Sequence, residues 1–191
     1  MATSATIYLI YQIMVICLKS LNSMNKKPNK WVDCYSSLIP SGKGVLDLAC
    51  GSGRHTGMLL NKGYQVTAVD IDTTSIKQNF SDKKLNIVKC DLESLSSWPF
   101  GKNSFLGIIV VNYLHRPLYS KIMESLEKGG VLIYQTFADG HSRYGKPKNP
   151  DYLLRRGELK MVFDSMQIIS YQHGYLGYPS RSIVQRICCI K

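Results

Sequence analysis

The stretch VLDLACGSGRHTGMLLNKGYQVTAVDID, residues 45 to 72, decides the fold. It reads as a buried strand, a glycine turn, a short helix over residues 54 to 62 closed by Gly63, and a second strand ending at Asp70. A glycine turn between a strand and a helix points backbone N–H groups at a ligand, most often a nucleotide. Gly51 and Gly53 form G-x-G, but position 56 is threonine, so the G-x-G-x-x-G of dinucleotide sites is incomplete. A lone G-x-G is weak by itself, and the charges around it must say which nucleotide it suits.

Outward from that stretch, strand and helix patterns alternate. WVDCYSSLI, residues 31 to 39, has the helical spacing of Trp31, Cys34, Tyr35 and Leu38, and Pro40 stops it. TTSIKQNF, residues 73 to 80, predicts a helix capped by Thr73 or Thr74, and LNIVKCD, residues 85 to 91, a third strand. SFLGIIVVNYL, residues 104 to 114, is long and apolar, as central parallel strands are. PLYSKIMESLEKGG, residues 117 to 130, reads as a helix with proline at its start and glycines after it. GVLIYQTF, residues 130 to 137, is the fifth strand, and GELKMVFDSM, residues 157 to 166, the last helix. QIISYQHGYL and SIVQRICCI, joined across Gly177 and Pro179, close the chain as a hairpin. The pattern predicts an α/β fold: an open, mostly parallel sheet of seven strands with a C-terminal antiparallel hairpin and helices on both faces. Ligands of such sheets bind at the carboxyl ends of the strands, beside the switch in strand order.

Three carboxylates sharpen the first turn. Asp70 lies 19 residues after Gly51, where an acid can accept hydrogen bonds from ribose hydroxyls. Asp47 lies four residues before Gly51, on the pocket floor. A dinucleotide would set its pyrophosphate over that carboxylate, and the two would repel at low effective dielectric. S-adenosylmethionine carries an ammonium and a sulfonium and no phosphate, so Asp47 favours it. The plainer role for Asp47, compatible with the first, is to brace the turn through its backbone amides. Asp91 follows the third strand, where it can accept from an adenine amine while Cys90 or Leu92 packs on the ring.

With these residues the sequence resembles the class I, Rossmann-like S-adenosylmethionine-dependent methyltransferases over residues 31 to 190. Their first motif is similar to VLDLACGSG, and their ribose-binding acid matches Asp70. The resemblance implies a cofactor site made of Asp47, Ala49, Cys50, Gly51, Ser52, Gly53, Asp70, Ile71, Asp91, Leu92 and Asn112, with no metal. NYLHRPL, GGVLIYQTF, RYGKPKNPDYLL and SIVQR resemble a group of small bacterial methyltransferases related to the tellurite-resistance methyltransferases. One departure is Gln135, where glutamate is the more frequent residue of that group.

The resemblance places the end of the fourth strand, NYLHRP at residues 112 to 117, against the transferable methyl. The [DNS]-P-P-[YF] of amino-methylating nucleic-acid enzymes is missing there, and NPDY at residues 149 to 152 follows the fifth strand instead. His115 is the candidate general base and Tyr113 the candidate wall of the methyl channel, while Arg116 could orient an anionic acceptor. The bland reading of His115 is a loop or helix-entry histidine. QTFADGHSRYGKPKNPDYLLRRGEL, residues 135 to 159, is either an acceptor lid offering Arg143, Tyr144, Lys146 and Asn149, or a solvated loop.

The expected activity is S-adenosylmethionine-dependent methylation of a small-molecule or inorganic acceptor. The alternatives are an RNA methyltransferase holding phosphates on the basic surface of residues 143 to 160, and a non-catalytic S-adenosylmethionine-binding protein. An NAD-dependent reductase is disfavoured by Asp47 and the missing third glycine. The formal charge of +11 is spread along the chain and does not identify a partner. Six cysteines without C-x-x-C spacing predict reduced thiols and a cytoplasmic protein, with Cys188 and Cys189 on opposite faces of a strand. ATIYLIYQIMVICL, residues 5 to 18, is shorter than the roughly 20 apolar residues of a membrane span. It also lacks the positive n-region of a signal peptide. Residues 1 to 23 are therefore expected to be an extension, from a misassigned start or as a membrane tether, ahead of a methyltransferase domain over residues 24 to 191.

Overall fold

The computed structural model describes residues 27–94, 98–177 and 180–191. The apolar N-terminal run and Met24 lie outside the described residues. Seven strands form one sheet: β1 (Val45–Leu48), β2 (Val66–Asp70), β3 (Leu85–Lys89), β4 (Phe105–Val111), β5 (Leu126–Phe137), β6 (Gln167–Leu176) and β7 (Ser182–Ile190). Their order is β3-β2-β1-β4-β5-β7-β6. The first five strands run parallel, and β7 pairs antiparallel with both β5 and β6. Strand order reverses between β1 and β4, so the chain leaves their carboxyl ends in opposite directions and opens a crevice there.

Among the described residues the α-helices are α1 (Lys30–Tyr35), α2 (Arg54–Asn61), α3 (Thr74–Asn79), α4 (Leu118–Ser125) and α5 (Glu158–Val162). The period-2 alternation of the strands divides the core between the two faces of the sheet. Leu46, Ile108, Leu132 and Tyr134 meet Leu118 and Ile122 of α4 and Leu159 of α5. Val45, Ile109, Val131 and Ile133 meet Trp31 and Val32 of α1 and Met58 and Leu59 of α2. Cys188 joins the second set and Cys189 the first, as alternation along a strand requires. Cys34, Cys50, Cys90, Cys188 and Cys189 form no disulfide among the described residues.

Several helices are shorter than their periodicity predicts. α1 ends at Tyr35 and gives way to a single 3-10 turn, Ser36–Leu38. The Ser36 hydroxyl donates to the Asp33 carbonyl, offering the backbone a local alternative to helix. α4 ends at Ser125, because Leu126 is fully buried opposite Phe105 and already belongs to β5. The register then jumps to Val131 opposite Gly107. A Cβ on Gly130 would stand 2.9 Å from the Glu127 carbonyl oxygen, so this loop accepts no side chain there. α5 stops at Val162, because Phe163 and Met166 turn into the core. Thr73 is the N-cap of α3 as expected, but its side chain makes no cap bond; Asp72 accepts the Thr74 N–H at 2.9 Å instead.

The glycine turn is held against α3. Gly53 has φ +85°, and a Cβ there would lie 2.7 Å from a Phe80 ring carbon and 3.0 Å from Ile76 Cγ1. Both the backbone conformation and the contact exclude a side chain. Gly53→Ala is expected to lower stability by about 1–2 kcal/mol, a fall in melting temperature of about 2–4 °C per kcal/mol. Thermal melting of the variant beside the parent checks this.

Candidate functional site

The crevice is floored by the turn after β1. Asp47 is 2% exposed, and its Oδ2 accepts the Thr56 hydroxyl of α2 at 2.6 Å. Burial is the main cause of a carboxyl pKa pushed up to about 6, against the pull of the Thr56 hydrogen bonds and the Arg54 charge. Asp70 does the bracing that the sequence reading gave to Asp47: its Oδ2 accepts the Gly51 N–H at 2.7 Å and its Oδ1 the Asp72 N–H at 3.1 Å. Ala49 takes φ +53° between these groups, and Gly51 takes φ +55°. A Cβ on Gly51 would meet nothing within 4 Å, so the outer side of the turn is open to a ligand. Cys50 is buried behind it, and Ser52 is exposed.

Ile71, directly after β2, is 60% exposed, an apolar side chain lying uncovered beside Asp70. After β3, Asp91 Oδ1 accepts the Glu93 N–H at 3.0 Å while Leu92 turns into the core. After β4, Asn112 takes φ +58° and donates its N–H to the Gln135 carbonyl at 2.9 Å. Tyr113 is held from below by the Tyr134 hydroxyl, which donates to its carbonyl at 3.0 Å. The expected cofactor residues thus come together at adjoining strand ends, on both sides of the order reversal.

Beside them is a cavity of about 240 Å³ lined by Glu93, Asn112, Tyr113, Leu114, Thr136, Phe137, Pro147 and Tyr152. Tyr113 lines this cavity, and His115 does not. Leu114 turns into the core, and the His115 carbonyl accepts the Leu118 N–H, so His115 belongs to the turn entering α4. Glu93, Thr136, Phe137 and Tyr152 escaped sequence reasoning. Only the strand-end position of Thr136 and Phe137 could have signalled them.

The segment after β5 is an anchored lid. Asp139 donates its N–H to the Leu154 carbonyl at 2.9 Å, and Leu154 donates to the Phe137 carbonyl at 2.9 Å. His141 is buried and stacked on Phe137 with ring centroids 4.1 Å apart. Its Nδ1 accepts the Ile183 N–H, so Nε2 carries the proton shared with the Lys146 carbonyl at 2.9 Å. Arg143, Tyr144, Lys146 and Asn149 do not line the cavity, whereas Pro147 and Tyr152 do. Asn149 instead accepts the Asp151 N–H at 3.0 Å, and Tyr144 packs on Tyr175.

Arg116 does not face an anionic acceptor. Its Nε and Nη2 donate to the two Glu158 carboxylate oxygens at 2.8 and 2.9 Å, while Nη1 and Nη2 reach the Asp151 and Leu153 carbonyls at 2.7 and 2.9 Å. Burial acts to raise the Glu158 pKa, but hydrogen bonds from Arg116, the Arg155 N–H and the Tyr119 hydroxyl outweigh it and hold it below the usual range. The pair clamps the lid to the helix-entry turn.

The methyltransferase domain family matches residues 45–130. The chain is 28% identical over 142 residues to a tRNA U34 carboxymethyltransferase of Actinobacillus succinogenes, covering 63% of this chain and 43% of that protein. It spans about two fifths of the length of the curated relatives it matches. Among solved structures, TehB from Haemophilus influenzae superposes with a TM-score of 0.64 at 20% identity, covering 85% of this chain and 61% of that one. A 1,6-didemethyltoxoflavin N1-methyltransferase of Burkholderia thailandensis, solved with that acceptor and S-adenosylhomocysteine, superposes with a TM-score of 0.64 at 16% identity over 100% of this chain and 92% of that one. The fold is that of the class I S-adenosylmethionine-dependent methyltransferases.

Two outcomes are expected from this geometry. Arg116→Met lowers stability by about 2 kcal/mol in chemical denaturation, because it strands the 8%-exposed Glu158 side chain while Arg116 itself is partly solvated. Asp47, with its pKa raised to about 6, holds a proton in the empty site at low pH, and a cation bound above it requires that proton to leave. Affinity for S-adenosylmethionine should therefore rise as pH climbs through about 6, and Asp47→Asn should flatten that rise in calorimetric titrations.

Proposed function

We propose that this chain is an S-adenosylmethionine-dependent methyltransferase acting on a small-molecule acceptor. The observation that carries the reading is the cavity of about 240 Å³ beside Asn112, walled by Tyr113, Phe137 and Tyr152 and by the segment after β5. S-adenosylmethionine supplies a methyl carbon on a positively charged sulfur, already activated, so the protein's work is alignment and exclusion of water. Asp47 supplies negative charge beneath that cation, and Asp70 accepts from the ribose hydroxyls with the lone pairs its backbone bonds leave. Ile71 flanks the adenine, Asp91 accepts its amine, and Leu92, turned into the core, only backs that turn. The Gly51 to Gly53 turn lets the backbone approach the methionine portion, beside Asn112. Tyr113 walls the path between cofactor and acceptor, and His115 has no step in this scheme. The unit that carries the activity is residues 24 to 191, acting in the cytoplasm.

A second reading, methylation of RNA, draws on the lid's surface. Tyr144 and Tyr152 are 44% and 46% exposed in a segment that also carries Arg143, Lys146, Lys148, Arg155 and Arg156. Stacking side chains among cations suit single-stranded nucleic acid. Retention on RNA that falls steeply with salt would favour this reading over the first.

Calorimetry with S-adenosylmethionine, S-adenosylhomocysteine and NAD tests the proposal. The two sulfur compounds should bind, and Asp70→Ala should weaken them by about 1–3 kcal/mol through lost ribose bonds together with the lost brace on the Gly51 N–H. Binding of NAD alone would overturn it.

A further inference from the structure

The acceptor cavity has a charge opposite to that of the chain. The sequence carries 24 Lys and Arg residues and a formal net charge of +11. Yet no Lys, Arg or His is among the described residues that wall the cavity, and its one ionisable acid is Glu93. Asn112 and Thr136 add neutral polar atoms, and Tyr113, Phe137 and Tyr152 add aromatic surface. Arg116, close in sequence to the wall, is committed to Glu158 and two lid carbonyls. The buried Tyr113 hydroxyl has no hydrogen-bond partner, and Glu93 is the charge that acts on it most strongly. Glu93 is an exposed residue that shares the cavity wall with Tyr113.

An oxyanion placed here would meet a carboxylate and the negative faces of aromatic rings, with no lysine, arginine or histidine of the wall to offset them. A nitrogen compound meets the reverse: a carboxylate to accept its N–H and aromatic faces that attract positive charge. Resting on the methyltransferase reading, we infer that the acceptor is an aromatic amine or nitrogen heterocycle, with Glu93 as the specificity residue that binds its N–H. The acceptor nitrogen's lone pair forms the new N–CH3 bond as the methyl–sulfur bond breaks and its electron pair stays on sulfur. The nitrogen then carries the positive charge, beside Glu93, and a proton displaced from it passes to that carboxylate and on to water. This choice sets the chain apart from enzymes that methylate an inorganic anion.

The test is competitive binding to the full chain loaded with S-adenosylhomocysteine, read by ligand-observed NMR. Aniline and benzimidazole, both largely neutral at pH 7, serve as nitrogen probes, and benzoate and selenite as anions. The nitrogen probes should bind at least tenfold more tightly than benzoate, with selenite failing to displace them. Glu93→Gln should remove that preference while S-adenosylhomocysteine affinity stays within twofold. Absent nitrogen-probe binding, tighter binding of either anion, or an unchanged preference in Glu93→Gln overturns the inference. So does a parallel loss of S-adenosylhomocysteine affinity in Glu93→Gln, which would move Glu93 into the cofactor site. Failure of S-adenosylhomocysteine to bind the parent chain would instead overturn the methyltransferase reading itself.

Discussion

The hydrogen bond from the Gly51 N–H to the Asp70 carboxylate, 2.7 Å long, ties the turn after β1 to the end of β2. It joins residues 19 positions apart and closes the glycine turn over the buried Asp47. The turn can take that shape only because Gly51 and Gly53 accept positive φ, and because Phe80 and Ile76 press on the side where Gly53 has no Cβ. The Thr56 hydroxyl then fastens the Asp47 carboxylate to α2. These contacts aim an open backbone surface and a negative floor into the crevice that the β1/β4 reversal opens.

A buried acid such as Asp47 is costly unless something answers its charge. In this site Thr56 and Arg54 answer it partly, and burial still dominates, leaving a carboxyl that titrates near pH 6. Under the proposed function, a cation on the turn would complete the compensation. The same logic holds one layer out. Glu158 is buried and answered fully by Arg116, Tyr119 and the Arg155 N–H, and that satisfied group serves as a clamp for the lid. Asp47, answered in part, suits binding; Glu158, answered in full, suits structure.

Much of the fold was legible because the central parallel strands β1 and β4, buried on both faces, are nearly continuous apolar runs. Helix ends were less legible. Leu126, Phe163 and Met166 fit a helical period equally well, and only their burial against the sheet takes them out of α4 and α5. His115 shows the same limit at the site. A histidine after a strand end is a reasonable base by position, yet the inward turn of Leu114 assigns it to a helix entry. Arg116 looked available for an anion, because its partner Glu158 is 42 residues away and no local pattern links them.

By itself, the sequence determined the order of strands and helices, the glycine turn, and three acids at successive strand ends. Those features are local, set by side-chain periodicity, backbone freedom and the position of an acid relative to a strand. The tertiary structure alone decided which acid braces the turn and which lies buried beneath it. It also decided that the lid is clamped, and that a chain of net charge +11 walls its cavity with an acid and aromatic rings. Each of these depends on pairings between distant segments, where burial and competing hydrogen bonds determine what a charged side chain is left to do.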